Sequence, residues 1–337
     1  MINDDSPSAL QASQMERLLY EVKRVVVGQD HFLERIMVAL LAGGHLLVEG
    51  VPGLAKTLTV NTLARTMRGV FRRIQFTPDL VPADLVGTRI FNQKHGEFST
   101  TLGPVFANLL LADEINRAPA KVQSALLEVM QERQVTIAGE SHPVPSPFVV
   151  IATQNPIETE GTYPLPEAQV DRFMMKVVVG YPGEDEEFVI VERVTGPQVA
   201  IRAVTTAEEI LAAQKAARSL YVDPGLIRYA VRLVNATRNP ERVGLKELRP
   251  MVQFGASPRA TIYLIEGGRA LAYLRGRDYV LPEDVTDVAL DVLRHRVVLS
   301  YEAMAENLTT DDILERIMKH VAAPTRVLEH GRFSANA

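Results

Sequence analysis

Cysteine is absent from all 337 residues, which removes disulfides and cysteine-ligated metals from consideration. That absence fits a cytoplasmic protein, and the cytoplasm is the location expected. Long apolar runs are missing too: no window approaches the roughly eighteen consecutive apolar residues that a membrane span needs. The opening stretch MINDDSPSALQASQ is polar and acidic, unlike a basic-then-apolar secretion leader. Surplus positive charge is also lacking, since 36 Lys and Arg stand against 41 Asp and Glu for a net charge of −5. A protein that coats nucleic acid neutralises phosphates with excess cations, so nucleic acid is not an expected partner. The seven histidines form no H-E-x-x-H and no G-x-S-x-G is present, so neither a zinc hydrolase nor a nucleophile-elbow hydrolase has an anchor. Internal repeats and low-complexity tracts are absent.

At 47% hydrophobic and 23% charged residues, the chain has ample material for a sizeable core, and its length suits two domains. In the first half, short apolar runs alternate with helical patterns. HLLVE (45–49), FRRIQF (71–76), NLLLADE (108–114), FVVIATQN (148–155) and MMKVVVG (174–180) read as five strands. Between them, Lys56–Met67 and Lys121–Glu132 carry helical periodicity. Strands alternating with helices predict an α/β fold with a parallel sheet covered on both faces, and the near-continuous apolar LLLA and VVIA suit strands buried on both sides. After Gly183 the pattern predicts a helix and a connector, and from Thr206 onward helices without strands. Thr206 with Glu209 forms a capping box. Ser257 can cap a helix that has Pro258 in its first position, and LPEDVTDVALDVLRHRVVLS (281–300) reads as one further helix. The expected organisation is an αβα core over 1–200, a helical lid over 205–325 and a flexible tail over 326–337.

The stretch LLVEGVPGLAKTLTV (46–60) supplies a strand that ends, a glycine-containing turn and a helix, the three parts of a phosphate-binding loop. Lys56 can reach outer phosphates, and the Thr57 hydroxyl can face Mg²⁺. Ala55, however, stands where G-x-x-x-x-G-K-[ST] has its last glycine, so an ordinary strand–turn–helix stays open on these residues alone. Ala55 is tolerable if it already has helical geometry, where a methyl group meets no clash. Downstream, a buried strand delivers Asp113 and Glu114 at its end, one suited to hold Mg²⁺ and the other to orient the attacking water; two solvated strand-end carboxylates would look the same. Asn155 ends the next strand, either as a turn former or as a ligand to the water or γ-phosphate. Arg172 is either a surface ion pair or a transition-state cation. Arg259, in the first turn of a helix where cations are mildly disfavoured, fits a phosphate contact better than a structural role.

Taken in order, EGVPGLAKT, LLLADEINRAP, ALLEVMQE, IATQNPIE, GTYPLPEAQVDRF and GASPRA resemble the MoxR family of AAA+ ATPases, in register from about Val26 to the final helices. The family's phosphate loop commonly has alanine before the lysine. The resemblance implies a P-loop NTPase core with a small all-α lid, with ATP and Mg²⁺ as cofactors. By carry-over, Gly50, Val51, Pro52, Gly53, Leu54, Ala55, Lys56, Thr57 and Leu58 bind the nucleotide. Thr57 and Asp113 serve the metal, and Glu114 is the catalytic base. Asn155 and Arg259 match the first and second sensors. Arg172 is the arginine acting across a subunit interface, with Arg117 a second candidate. Val27 and Gly28, in VVVGQD, resemble the adenine-side segment, although a helix C-cap at Gly28 explains that glycine equally well. Phe76–Phe106 would contain the second-helix insertion of this subgroup and Gln134–Phe148 a further hairpin.

The activity implied is ATP hydrolysis by a homo-oligomeric ring, hexameric by analogy, that remodels or activates a client protein. A client with a von Willebrand factor A domain is the class the family suggests. Two other classes compete: an ATP-binding switch with negligible turnover, against which the acidic pair argues, and a nucleic-acid motor. Against the motor, Gln134–Phe148 contains no lysine or arginine.

Overall fold

The computed structural model describes residues 7–51, 53–93, 96–156, 161–197 and 199–324. Pro52 and the tail expected over 326–337 lie outside them. Among the described residues up to 180 there are nine strands: β1 (Leu46–Glu49), β2 (Phe71–Gln75), β3 (Gly87–Asn92), β4 (Glu97–Leu102), β5 (Leu109–Asp113), β6 (Gln134–Ile137), β7 (Glu140–Pro143), β8 (Val149–Gln154) and β9 (Met175–Val178). Five of them form one parallel sheet in the order β2-β5-β8-β1-β9, the five that the sequence predicts. The apolar LLLA and VVIA segments fall on β5 and β8, inside the sheet and fully buried. FRRIQ falls on the edge strand β2, where both arginines are exposed. Parallel neighbours need crossovers. The helices α1 (Pro7–Lys23), α2 (Asp30–Ala42), α3 (Lys56–Thr66), α4 (Pro82–Val86), α5 (Ala120–Glu132), α6 (Glu167–Val170) and α7 (Glu184–Thr195) lie among these strands in the chain.

Apolar spacing explains the burial. α5 turns Val122, Leu126, Leu127, Val129 and Met130 into a cluster with Leu110, Ala112, Val150, Ala152, Phe148 and Phe173. The helix α2 is buried along nearly its whole length. The two anticipated hairpins are β3–β4 and β6–β7, and the second turns through Ala138 and Gly139, both with positive φ, as a two-residue hairpin requires. α1 was not anticipated, although Met15, Leu18 and Val22 recur at helical spacing and are buried.

By packing, the chain divides into one unit of residues up to Ser219 with 270–277, and a second of 220–269 with 278 onward. The next helix, α8 (Ala207–Ser219), opens with the Thr206–Glu209 capping box expected. It packs on α2 in the first unit, where Gln214 Nε2 donates to Leu40 O at 2.6 Å and Arg218 Nη2 to Ala42 O at 3.3 Å. Both acceptors lie in the last turn of α2, where a helix end leaves carbonyls short of partners, and Leu40 O also accepts from the Gly43 N–H. A boundary near 200–205 therefore precedes a helix that groups with the core.

Beyond α8 the chain is helical: α9 (Pro224–Arg238), α10 (Pro258–Leu274), α11 (Pro282–Asp287), α12 (Ala289–Leu293), α13 (Tyr301–Ala305) and α14 (Thr310–His320). Ser257 accepts from the Arg259 N–H ahead of α10, as its sequence predicts. Two expectations need correcting. Residues 281–300 are two short helices and a strand, because the helical path ends at Leu293 and Val298–Leu299 (β11) pairs antiparallel with Val252–Phe254 (β10). That ribbon is the small β element in an otherwise helical segment. Gly28 is also no cap for α1, which ends at Lys23; it precedes α2 with φ +65°.

His45 fastens three elements of the core. Its Nε2 bonds to Met130 O of α5 at 3.1 Å, and its Nδ1 accepts from the Val150 N–H of β8 at 2.9 Å, immediately before β1. Nδ1 can accept only in the neutral ring. Burial first, and then the Arg133 guanidinium, push the pKa from 6.5 down to about 3. The unfolded chain therefore binds the extra proton between those values. This contribution is intact above pH 6.5 and declines as pH falls toward 3, by about 1.4 kcal/mol per pH unit for one proton. Urea denaturation from pH 7.5 downward should show this slope, flattened by about that amount in His45→Gln; an unchanged slope would assign the acid sensitivity to another group.

Candidate functional site

The sheet's C-terminal edge opens into a cavity of about 400 Å³, lined by Gly50, Gly53–Leu58, Arg73, Gln75, Asp113, Glu114 and Thr153–Asn155. Such openings are where open parallel sheets bind ligands. On one side β1 ends and the chain turns sharply into α3. Gly50 is required by close approach, because a Cβ there would stand 2.5 Å from Val179 O. Gly53 is required by its backbone, at φ +87°. Lys56 is the first residue of α3; its Nζ donates to Gly50 O at 2.7 Å, so the side chain folds back over the loop. Burial lowers the Lys56 pKa, and the charges of Asp113 and Glu114 oppose that shift. Thr57 lies beside it on the cavity wall.

Ala55 is not helical. It sits in the left-handed region at φ 54°, ψ 17°, just ahead of α3. The methyl group is therefore tolerated in spite of the local geometry, at a cost of roughly 1–2 kcal/mol. The turn that aims the N-terminus of α3 at the cavity needs that conformation, which explains why glycine is the common choice for this position.

On the other side β5 ends at Asp113. Glu114 follows at φ 57°, ψ 49°, again left-handed and non-glycine, and opens a 3₁₀ turn over Ile115–Arg117. Thr153 of β8 ties the two acids together: its hydroxyl donates to Asp113 Oδ1 at 2.9 Å and accepts from the Glu114 N–H at 2.9 Å. From β2, Arg73 Nε reaches Asp113 Oδ2 at 2.6 Å, and Gln75 Nε2 donates to Glu114 Oε2 at 2.7 Å. The sequence reading singled out none of Arg73, Gln75, Thr153 and Gln154. The available signals were the i, i+2 spacing of Arg73 and Gln75, which puts them on one face of a strand, and the polar run Thr153–Asn155 that ends an apolar strand.

Of the residues expected at the site, Gly50, Gly53, Leu54, Ala55, Lys56, Thr57, Leu58, Asp113, Glu114 and Asn155 converge on this cavity. Val27, Gly28 and Val51 are not among its lining residues. Arg117 turns back to its own Glu114, Nε to Oε2 at 3.2 Å. Arg172 donates from Nη1 to Leu127 O of α5 at 3.1 Å. Arg259 belongs to the second unit. Among the described residues, no group of three or more His, Asp or Glu side chains forms a metal cage, and no helix is long and apolar enough to cross a membrane.

The pattern of the ATPase family associated with various cellular activities (AAA) matches residues 45–175, and that of the AAA lid domain matches 246–317. Over 318 residues the chain is 55% identical to chaperone MoxR1 of Mycobacterium tuberculosis, covering 94% of this chain and 84% of that one. The chain belongs to the MoxR family of AAA+ ATPases. It is also 42% identical to YeaC of Bacillus subtilis, over 90% of this chain and 93% of that one. Identity to the MoxR protein of Methylorubrum extorquens is 31%, over 93% and 95%. A crystal structure of a Cytophaga hutchinsonii protein superimposes with a TM-score of 0.89 at 48% identity, covering 94% of this chain and 96% of that one. In this MoxR-family chain the strained residue gives a direct test. Ala55→Gly is expected to raise the unfolding free energy by about 0.5–1 kcal/mol, the left-handed penalty less the added chain entropy. Urea denaturation reads it; a loss of stability would show that the loop does not strain Ala55.

Proposed function

We propose that this chain hydrolyses ATP with Mg²⁺ in a homo-oligomeric, hexameric ring in the cytoplasm, and uses the cycle to remodel or activate a client protein. The observation that carries this reading is the convergence of Lys56 and Thr57, at the start of α3, with Asp113 and Glu114, at the end of β5, on one cavity. The donor set fits a magnesium nucleotide. Thr57 and Asp113 offer hard oxygens, and Mg²⁺ is typically held by one or two protein oxygens completed by phosphates and water. When bound, the ion neutralises charge on the phosphate oxygens. The loop N–H groups and Lys56 bind and orient the phosphate chain. Glu114, fixed through its N–H by Thr153 and through its carboxylate by Gln75, is poised to orient a water and take its proton. Asn155 would act as the first sensor.

Arg172 is assigned to a neighbouring subunit's nucleotide and Arg259 to the second sensor role. Arg117 is the weaker candidate for the trans arginine, because it is engaged with Glu114 of its own chain. Val27 and Gly28 are assigned to the adenine side, residues 1–200 to the nucleotide-binding core and 205–325 to the lid. The chaperone-like role rests on similarity to chaperone MoxR1, and a von Willebrand factor A domain is the proposed feature of the client.

Glu114→Gln should lower turnover by about 10²–10⁴-fold while ATP binding persists, the signature of a lost base rather than a lost site. Retained turnover would remove Glu114 from that role. ATPase activity per protomer should also climb with protein concentration and then saturate, since a site completed by a second copy works only when assembled. A flat profile would leave each site self-contained.

A further inference from the structure

We propose that Arg73 is a positioning residue of the nucleotide site, one that competes with the divalent cation for Asp113. The inference rests on the nucleotide reading above and extends it to a residue with no assigned role. Among the described residues that line the cavity, only Lys56 and Arg73 carry positive side chains. In the parallel register Gln75 lies opposite Asp113, and Arg73 lies two residues earlier on the same face of the edge strand. From there its guanidinium is divided between two partners, Nε on Asp113 Oδ2 at 2.6 Å and Nη2 on Gln75 Oε1 at 3.1 Å. Gln75 passes the connection on to Glu114. One cation thereby restrains both acids, the first directly and the second through an amide.

The carboxylate geometry makes the competition specific. Oδ1 of Asp113 is occupied by the buried Thr153 hydroxyl, a fixed part of the sheet edge. Oδ2 is held by Arg73. A cation that uses Oδ2, directly or through one water, meets a guanidinium already hydrogen-bonded to that oxygen, and repulsion between the two positive charges sets them in competition. The exchange is accessible because the Arg73 side chain is 49% exposed, and half-exposed ion pairs are readily broken. A purely structural cross-strand pair would brace the sheet edge without sensing the metal.

The two roles separate in the metal dependence of binding. A fluorescent ATP analogue is titrated into the 337-residue chain in Mg²⁺ and again in excess chelator, and the dissociation constant in chelator is divided by that in Mg²⁺. Arg73→Met removes the competitor for Asp113 and leaves that carboxylate facing metal-free phosphates unneutralised. Both effects raise the ratio, by about fivefold or more, the lower end of ordinary linkage between two ligands. Arg73→Gln should act in the same direction and serves if the methionine variant does not fold, while Arg73→Lys should return the ratio most of the way to wild type. A ratio unchanged in the neutral variants, with both constants shifting together, overturns the proposal and leaves a structural ion pair. Failure of the wild type to bind the analogue in either condition overturns the nucleotide reading itself, and this inference with it.

Discussion

The parallel register of β2, β5 and β8 is the constraint on which the site depends. Gln75 pairs across to Asp113 and Ala112 to Ala152, so three strands end level and release their polar residues at one edge. Arg73, Gln75, Asp113, Glu114 and Thr153 meet because of that alignment. A one-residue slip of β2 would turn Arg73 and Gln75 to the opposite face. The apolar interiors of β5 and β8, packed beneath α5, hold the register and thereby the chemistry. His45 contributes to the same alignment by bonding β8 and α5 from a position just before β1.

Two left-handed residues flank the cavity, Ala55 on the phosphate-loop side and Glu114 on the acidic side. Neither is glycine, and each costs stability. For Glu114 the proposed function needs the side chain, so glycine would not serve; Thr153 accepts its N–H. For Ala55 no comparable reason exists in its side chain. The strain is local, and the packed sheet beneath it bears it.

Much of this was legible in the sequence. All five sheet strands, α3 and α5 follow from hydrophobic period, and the Thr206–Glu209 and Ser257 caps follow from side-chain chemistry. Acidic residues after a wholly apolar run mark the end of a buried strand, which is why Asp113 and Glu114 could be read directly. The failures share a physical cause. Arg73 and Gln75 sit on an edge strand, where alternation of polar residues looks like ordinary solvent exposure, and only the pairing of β2 with β5 reveals what they touch. Thr153 is one polar residue in a strand, and its two hydrogen bonds join it to Asp113 and Glu114, 40 and 39 residues away in sequence. The helical pattern over 281–300 is real but is cut by a β pairing that period alone cannot register. Ala55 carries no signal of its backbone sign, since alanine is common in both the helix and the turn.

Charge finally connects the cavity to the proposed assembly. Lys56 and Arg73 face Asp113 and Glu114, so the side chains of the lining sum to about zero. The N-terminus of α3 adds the equivalent of roughly half a positive charge. A triphosphate brings several negative charges into this balance, and bond cleavage moves more charge toward the leaving oxygen. The described lining has little left to offset it once Arg73 is engaged with Asp113. Under the proposed function, a divalent cation and a guanidinium from outside this lining would be the two additions that restore the balance. That deficit is the physical reason to expect a site completed by metal and by a second subunit.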